Sequence, residues 1–462
     1  MYKLKIYKYR YLILLPIVIN FIFNIFDYQS VIPLKNLNLY NLLATVLLFF
    51  ALVQIGLAIK KVFKFYTISV SIILYLASYF IFLYLLLFFS QELTFHQSFV
   101  LINILWLGIL IRYKKTVLNL LVLTLAIAIL NFFNFRFLDN FDKNLNLSGD
   151  AEFVFYPQAK QIFENSLYYS ITNPIIEGYP QFISYIHALL YKIGFINNEV
   201  FEYYPQTTNV FFLLMILFFL ELNISIHSKI TFVVVYFSLL MNSEWLNYLF
   251  SSSLMSESIV SYFFIVILKS LLDHFNLDKQ FSLILFVGGW MIFTKQFIST
   301  IILLLLFYLC FTKKSIKHYL IAFSPLLINE MAHRLHFKSV IKDHHFSQID
   351  IIDTILDLLF FRDLELNNLK FIFDNFLIDK PFSLVYFTAL AFSILQLIYN
   401  KDKLEENIIY LSIILVNTGL VLILYISAWQ NMELESPIRY FLTLIGLYFL
   451  IIFKNDDLKV EM

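Results

Sequence analysis

Runs of about 20 apolar residues recur along the whole chain, each separated from the next by a short polar break. A run of that length crosses a bilayer as a helix, and about fourteen such helices fit the text. Composition points the same way, with 60% hydrophobic and 14% charged residues against roughly a quarter charged in soluble domains. A soluble core could not absorb so much apolar sequence, so the expected fold class is an all-α polytopic membrane protein. Basic and acidic residues number 33 and 32, so no global field points to nucleic acid as a partner. Cys310 is the only cysteine, which leaves neither an internal disulfide nor a thiolate metal cluster. The first segment has a basic flank, and its apolar run continues through Asn20 to Phe26 without a small-residue cleavage site, so it reads as an uncleaved first span. The heavy use of Phe, Tyr, Asn, Ile and Lys is assigned to base composition, and aromatic richness receives no functional weight.

Lys and Arg crowd cytoplasmic loops because translocating them is unfavourable, so their distribution predicts orientation. Lys3, Lys5, Lys8 and Arg10 precede span one, Lys60, Lys61 and Lys64 follow span two, and Arg112, Lys114 and Lys115 follow span four. Lys229, Lys279, the group of Lys313, Lys314 and Lys317, then Lys401, Lys403 and Lys454 continue the alternation. Both termini are therefore expected in the cytoplasm. Longer stretches near 135–204, 242–257 and 334–380 fall on the opposite, outer side, where function is expected. The resulting organisation is N-terminal transmembrane helices over 1–134, an outer loop with interfacial helices over 135–204, a transmembrane core over 205–333, an outer amphipathic loop over 334–380, and C-terminal transmembrane helices over 381–462.

The first outer loop reads NLSGDAEFVFYPQAKQIFENS and then ITNPIIEGYPQFISYIHALLYKIGF. Pro157 suits a first helical turn, and Ala159, Ile162 and Phe163 share a face. Asn173, Pro174, Gly178 and Pro180 break the chain before a second apolar helix, and the next span begins near Gln206. Two short helices at the membrane surface are expected. Asp150 and Glu152 stand just ahead of them, readable either as site carboxylates or as solvated groups favouring a helix N-terminus.

In the next outer loop Glu244 and Glu257 appear, the latter after Ser256 at a helix start where the dipole alone favours a carboxylate. LFVGGWMIFTKQFIST then carries Lys295 as the one charge in a long apolar stretch, either snorkelling or holding an anion. Near the C-terminus, NMELESPIRYF puts Glu433, Glu435 and Arg439 at the outer entrance of the last span. Arg439 runs against the positive-inside bias and so needs a partner, Glu435 or an anionic ligand. Asp350, Asp353 and Asp357 share one face of an amphipathic segment. His333, His336, His344 and His345 lack a well-spaced carboxylate, so no metal ligand is assigned, and a divalent metal stays open as a cofactor.

In this order the pieces resemble the C superfamily of integral-membrane glycosyltransferases (GT-C), in particular the branch of protein O-mannosyltransferases and aminoarabinose lipid A transferases. The likeness rests on an outer-loop acid before a short helix, a Pro-bearing break and an apolar helix ending in Gly. A second outer-loop acid, glycines followed by Thr294-Lys295, and acids ahead of Arg439-Tyr440 complete it. It covers residues from about 148 to 453 and leaves the first four spans without a counterpart. Glu152 is near Asp150 but not adjacent to it, so its share in the role stays open.

The resemblance implies a GT-C-like core that moves a sugar from a polyprenyl-phosphate donor to a cell-envelope acceptor, by inverting single displacement. On that expectation Asp150, with Glu152, serves as catalytic base, while Glu257 and Tyr179 orient the acceptor. Lys295 and Arg439 hold the donor phosphate, and Glu435 pairs with Arg439. Membrane lipid is the surrounding partner, and a bacterial inner membrane the expected location. A lipid-linked glycan flippase or transporter, or an O-antigen-type polymerase, is the alternative.

Overall fold

The structure is a computed structural model that describes residues 14–19, 39–65, 67–88, 93–138, 154–175, 181–195, 206–242, 256–293, 296–313, 315–336, 368, 370, 372–374, 380–399, 403–423 and 438–453. Among these residues the chain is 91% helical without a strand. Helices follow from the solvent, because a backbone amide in hydrocarbon must find its acceptor within its own segment. In chain order they are α1 (Leu39–Phe63), α2 (Ile68–Phe88), α3 (Phe95–Ile111), α4 (Val117–Arg136), α5 (Tyr156–Glu164), α6 (Leu167–Thr172), α7 (Phe182–Gly194), α8 (Gln206–Glu221) and α9 (Ile226–Asn242). The order continues with α10 (Ser256–Asp273), α11 (Asp278–Trp290), α12 (Gln296–Lys313), α13 (Ile316–His336), α14 (Lys380–Tyr399), α15 (Leu404–Ile423), α16 (Ile438–Leu442) and α17 (Ile445–Phe453).

Five of these, α1, α2, α4, α14 and α15, are long and apolar enough to cross a membrane, and shorter apolar segments of 10–17 residues lie in α3, α8, α9 and α12. On α4 the large apolar side chains Leu118, Leu121, Leu125, Ile129 and Phe132 recur at helical spacing and are all exposed. Val100, Ile104, Leu107 and Ile111 form a similar stripe on α3. Continuous exposed apolar faces of this length belong against lipid. The chain is an all-α membrane protein.

Contacts divide the chain into two compact units built from segments far apart in sequence. The larger holds Leu37–Glu221 and Ser251–His344, the smaller Met1–Asn36, Leu222–Phe250 and His345–Met462. This grouping cuts across the five consecutive segments expected from the sequence.

In the larger unit α1 ends on Lys64, whose φ of 56° turns the chain toward α2. The first amides of α2 need acceptors from outside the helix. Glu221, the last residue of α8, accepts from the N–H groups of Ile68 and of Ser69 (3.0 Å) and from the Ser69 hydroxyl (2.8 Å). Thr67 Oγ1 accepts from the Val70 N–H at 3.4 Å, and Lys60 Nζ lies 3.9 Å from the same carboxylate. Thus α1, α2 and α8 are joined at one end.

The glycine pair near the end of α11 sets a close approach. A Cβ on Gly289 would lie 2.3 Å from the Ala322 carbonyl oxygen and 2.9 Å from Pro325 Cγ, so α11 meets α13 backbone to backbone there. Pro325 stands inside α13 and removes one N–H. The Ser324 hydroxyl donates to the Ile321 carbonyl at 2.9 Å and so takes over the acceptor that this proline leaves.

The first outer loop differs from expectation in two ways. Three short helices form rather than two, because Ser166 accepts from the Tyr169 N–H at 3.0 Å and starts α6. Helix α5 follows its pattern, with Pro157 in the first turn and Ala159, Ile162 and Phe163 buried. Helix α7, however, is buried on every side rather than resting at a surface. Its terminal carbonyls find donors on α4: Asn131 Nδ2 reaches Ile193 O at 3.1 Å and Asn134 Nδ2 reaches Gly194 O at 2.8 Å. Ser184 of α7 bonds Gln158 of α5, and Ser170 of α6 bonds Gln181 just ahead of α7.

The smaller unit packs α9 against α17 through rings, with Phe232 and Tyr236 edge-on to Phe449 at 5.2 and 5.6 Å. The last apolar run is broken into α16 and α17 at Thr443. There the Thr443 hydroxyl takes the Tyr440 carbonyl at 2.6 Å, a local bond that competes with the helix ladder.

Candidate functional site

Two groupings of side chains stand out in the larger unit. At one end basic residues gather: Lys61 Nζ bonds Lys115 O at 3.3 Å, Lys60 faces Glu221, and Lys313 lies 4.1 Å from the centre of the Phe275 ring. Each comes from a stretch that charge distribution assigns to one side. Elsewhere in the larger unit, rings from α2, α3, α5, α7, α10 and α11 meet. Phe80 of α2 is 5.0 Å from Phe182 of α7, 5.7 Å from Tyr185 and 5.8 Å from Trp290 of α11. Tyr84 is 5.3 Å from Trp290, Trp290 is 5.7 Å from Phe293, and Phe182 is 5.7 Å from Phe263 of α10. Phe95 of α3 joins Phe163 of α5 to Tyr185 at 5.7 and 5.6 Å.

Glu257 belongs to this aromatic end. It stands in the first turn of α10, about two turns before Phe263, and is only 1% exposed. The helix start that the sequence predicts is therefore present, and it carries a carboxylate withdrawn from solvent. A dipole favours a negative charge at that position, but enclosure of the charge demands more than a dipole supplies.

The other sequence-assigned residues are distributed as follows. Asp150, Glu152, Tyr179, Lys295 and Glu435 lie outside the described residues, as do Glu244, Glu433, His344, His345 and the segment holding Asp350, Asp353 and Asp357. Arg439 is the second residue of α16, where the backbone alone is described. The structure thus brings the helix start bearing Glu257 to the same end as α5 and α7, the helices that follow the Asp150 loop. It brings Phe293 there too, two residues ahead of Lys295.

Lys192 of α7 is a further charged group in this region. It is buried, lies 5.9 Å from the centre of the Phe163 ring, and burial holds its ammonium below the ordinary lysine value. Sequence reading passed over Lys192 and over the ring assembly. Aromatic pairs at helical spacing, Phe80 with Tyr84, Phe182 with Tyr185 and Trp290 with Phe293, were the available signal. Among the described residues no three of His, Cys, Asp and Glu stand close enough to hold a metal ion. Compared with protein-family models, curated proteins and solved structures, the chain matches none of them.

Proposed function

We propose that this chain is a membrane glycosyltransferase that moves a sugar from a polyprenyl-phosphate donor to a lipid, glycan or protein acceptor on the outer membrane face. The observation that carries the reading is the buried Glu257 at the aromatic end of the larger unit. The helices that follow Asp150 and Glu152 meet there, as does the chain that leads to Lys295. Transfer needs a base on the acceptor hydroxyl, stabilisation of positive charge at the anomeric carbon, and neutralisation of the departing phosphate. Asp150, with Glu152 beside it in sequence, takes the acceptor proton. Glu257 and Tyr179 orient the acceptor. Lys295 and Arg439 hold the phosphate, and Glu435 pairs with Arg439. The acceptor oxygen forms its bond to the anomeric carbon as the phosphate oxygen leaves, which inverts that centre.

About fourteen spans, cytoplasmic termini and a bacterial inner membrane complete the proposal. The placing of Lys60 beside Glu221 at the start of α2, and of Lys61 on the Lys115 carbonyl, supports this orientation. A lipid donor suits it, because nucleotide sugars are cytoplasmic. A second reading, a flippase for a lipid-linked glycan, draws support from the buried polar residues Asn407 and Asn417 within the membrane-length helix α15.

The test is sugar transfer in proteoliposomes from a panel of radiolabelled polyprenyl-phosphate sugars to an extract of cell-surface acceptors, wild type against Asp150→Asn. Transfer by wild type that falls about 100-fold or more in the variant is expected. Full activity in Asp150→Asn sinks the base assignment. Absence of transfer from every donor by folded wild-type protein moves the reading to transport.

A further inference from the structure

The end of α1 is tied to the turn between α3 and α4. Lys61 donates its ammonium to the Lys115 carbonyl at 3.3 Å and to the Asn119 side chain, and Asn119 in turn donates to Gln54 of α1 at 3.4 Å. Thr116, buried in the short helical turn Lys114–Thr116, holds that turn in shape. Its hydroxyl faces the Leu110 carbonyl at 2.6 Å and the Tyr113 carbonyl at 2.7 Å. The chain bearing Lys61 and Lys64 is thereby set against the chain bearing Arg112, Lys114 and Lys115, and all five residues are exposed.

Among the described residues no carboxylate pairs with any of these five cations. Glu92 is the one acid in the sequence between Lys60 and Lys115, and it precedes α3 whereas Arg112 follows it. Glu221 is committed to the first amides of α2, the Ser69 hydroxyl and Lys60. Other basic loops differ, for Lys269 pairs with Asp273 and His318 lies 3.9 Å from Asp278. The bias that keeps Lys and Arg in cytoplasmic loops accounts for positive charge in each loop; it does not draw two loops together against their own repulsion.

The surroundings of the cluster identify the counter-ion. Helix α3 reaches Arg112 with Ile104, Leu107 and Ile111 exposed, and α4 leaves Lys115 with Val117, Leu118 and Leu121 exposed. Tyr113, in the turn between them, is exposed as well. A soluble anion would neutralise the charge and leave these apolar faces uncovered. A zwitterionic lipid would cover the faces and bring no net charge. A lipid with an anionic headgroup meets both demands at once.

We propose that this corner of the larger unit is a docking surface for an anionic phospholipid, with its phosphate held by Lys61, Lys64, Arg112, Lys114 and Lys115. The acyl chains lie along the exposed faces of α3 and α4. Arg112 supplies the planar fork that takes two phosphate oxygens, and the lysines act as point charges. This surface is separate from the sugar-transfer reading and stands whether or not the protein is a transferase.

The experiment uses full-length protein in a neutral detergent, titrated with phosphatidylglycerol or with phosphatidylcholine of the same acyl chains, and counts bound lipid by native mass spectrometry. Glycerol 1-phosphate, an anionic headgroup without chains, is the third ligand. Wild type is expected to bind phosphatidylglycerol at least about tenfold more tightly than either of the others. The triple variant Arg112→Gln/Lys114→Gln/Lys115→Gln changes exposed side chains and leaves the Lys115 carbonyl for Lys61. Each cation near an anionic headgroup is worth about fivefold, so affinity for phosphatidylglycerol is expected to fall about 100-fold while phosphatidylcholine binding is unchanged. The control Lys279→Gln/Lys317→Gln/Lys403→Gln loses the same charge from exposed positions elsewhere and keeps the preference. Raising salt to about 1 M on wild type weakens phosphatidylglycerol binding alone, and this arm decides the matter should the first variant fail to fold. Equal affinity of wild type for the two lipids, unchanged affinity in the first variant, or an equal loss in the control overturns the surface. Glycerol 1-phosphate bound as tightly as phosphatidylglycerol makes it a free-anion site and overturns the lipid.

Discussion

Alanine substitution at three glycines separates packing from ligand binding at the pair near the end of α11. At Gly289 the new methyl would sit 2.3 Å from the Ala322 carbonyl oxygen, roughly 1 Å inside ordinary contact, and the obstacle is backbone on another helix. Overpacking of this kind costs about 3 kcal/mol at its upper end, and the gain from replacing a helical glycine returns about 1, so a net loss of about 2 kcal/mol is expected. At Gly288 the nearest atom is the Ile267 Cγ2 methyl at 3.1 Å, a side-chain end that yields, and the net change is expected within about 1 kcal/mol of zero. At Gly419 a Cβ meets nothing within 4 Å, so about 0.5 to 1 kcal/mol of stabilisation is expected. The spread across the series is then about 3 kcal/mol. Denaturant titration in detergent, read by retention of the folded peak on size exclusion, measures the rank order. Equal midpoints for Gly289→Ala and Gly419→Ala would refute the close approach of α11 and α13. Unchanged stability in Gly289→Ala with loss of transfer would assign the glycine to the ligand instead.

Glu221→Ala leaves the Ile68 and Ser69 amides without their acceptor and is expected to cost about 2 to 3 kcal/mol, with Glu221→Gln losing about half of that. Lys60 is a third exposed, so its pairing adds little, and Lys60→Met should shift the same midpoint by under about 1 kcal/mol; a Glu221→Ala midpoint equal to wild type contradicts the capping role. Lys192 gives a pH signature. Burial lowers its folded pKa below 10.5, so the unfolded chain holds the proton more tightly. Stability is therefore expected to rise with pH from the lowered value up to 10.5, and the penalty is fully present below that window. Lys192→Met should lose this slope, and matching pH profiles for the two proteins would count against a buried ammonium.

The helices were legible wherever apolar runs and breaks alternate. The start of α8 near Gln206 and the first turn of α5 at Pro157 emerge where the pattern puts them, because local signals suffice for a helix end. Helix α7 was misjudged as a surface element. The carbonyls at its end are satisfied by Asn131 and Asn134, which sit 62 and 60 residues before the groups they bond and read locally as ordinary span residues. Glu221 was unremarked for the same reason, since its partners are at the start of α2. Within the candidate site, Glu257 was legible as a helix-start carboxylate, but its burial was not. The ring assembly was hidden by abundance: in a chain with 54 Phe and 30 Tyr no single aromatic stands out.

The cap on α2 also sets an order of events during synthesis. Ile68 and Glu221 are 153 residues apart, so at ordinary elongation rates α2 emerges about 8 to 30 s before its acceptor. Over that interval its first amides must draw on water, headgroups or the insertion machinery, and the α1–α2 hairpin waits at the interface for α8 to arrive.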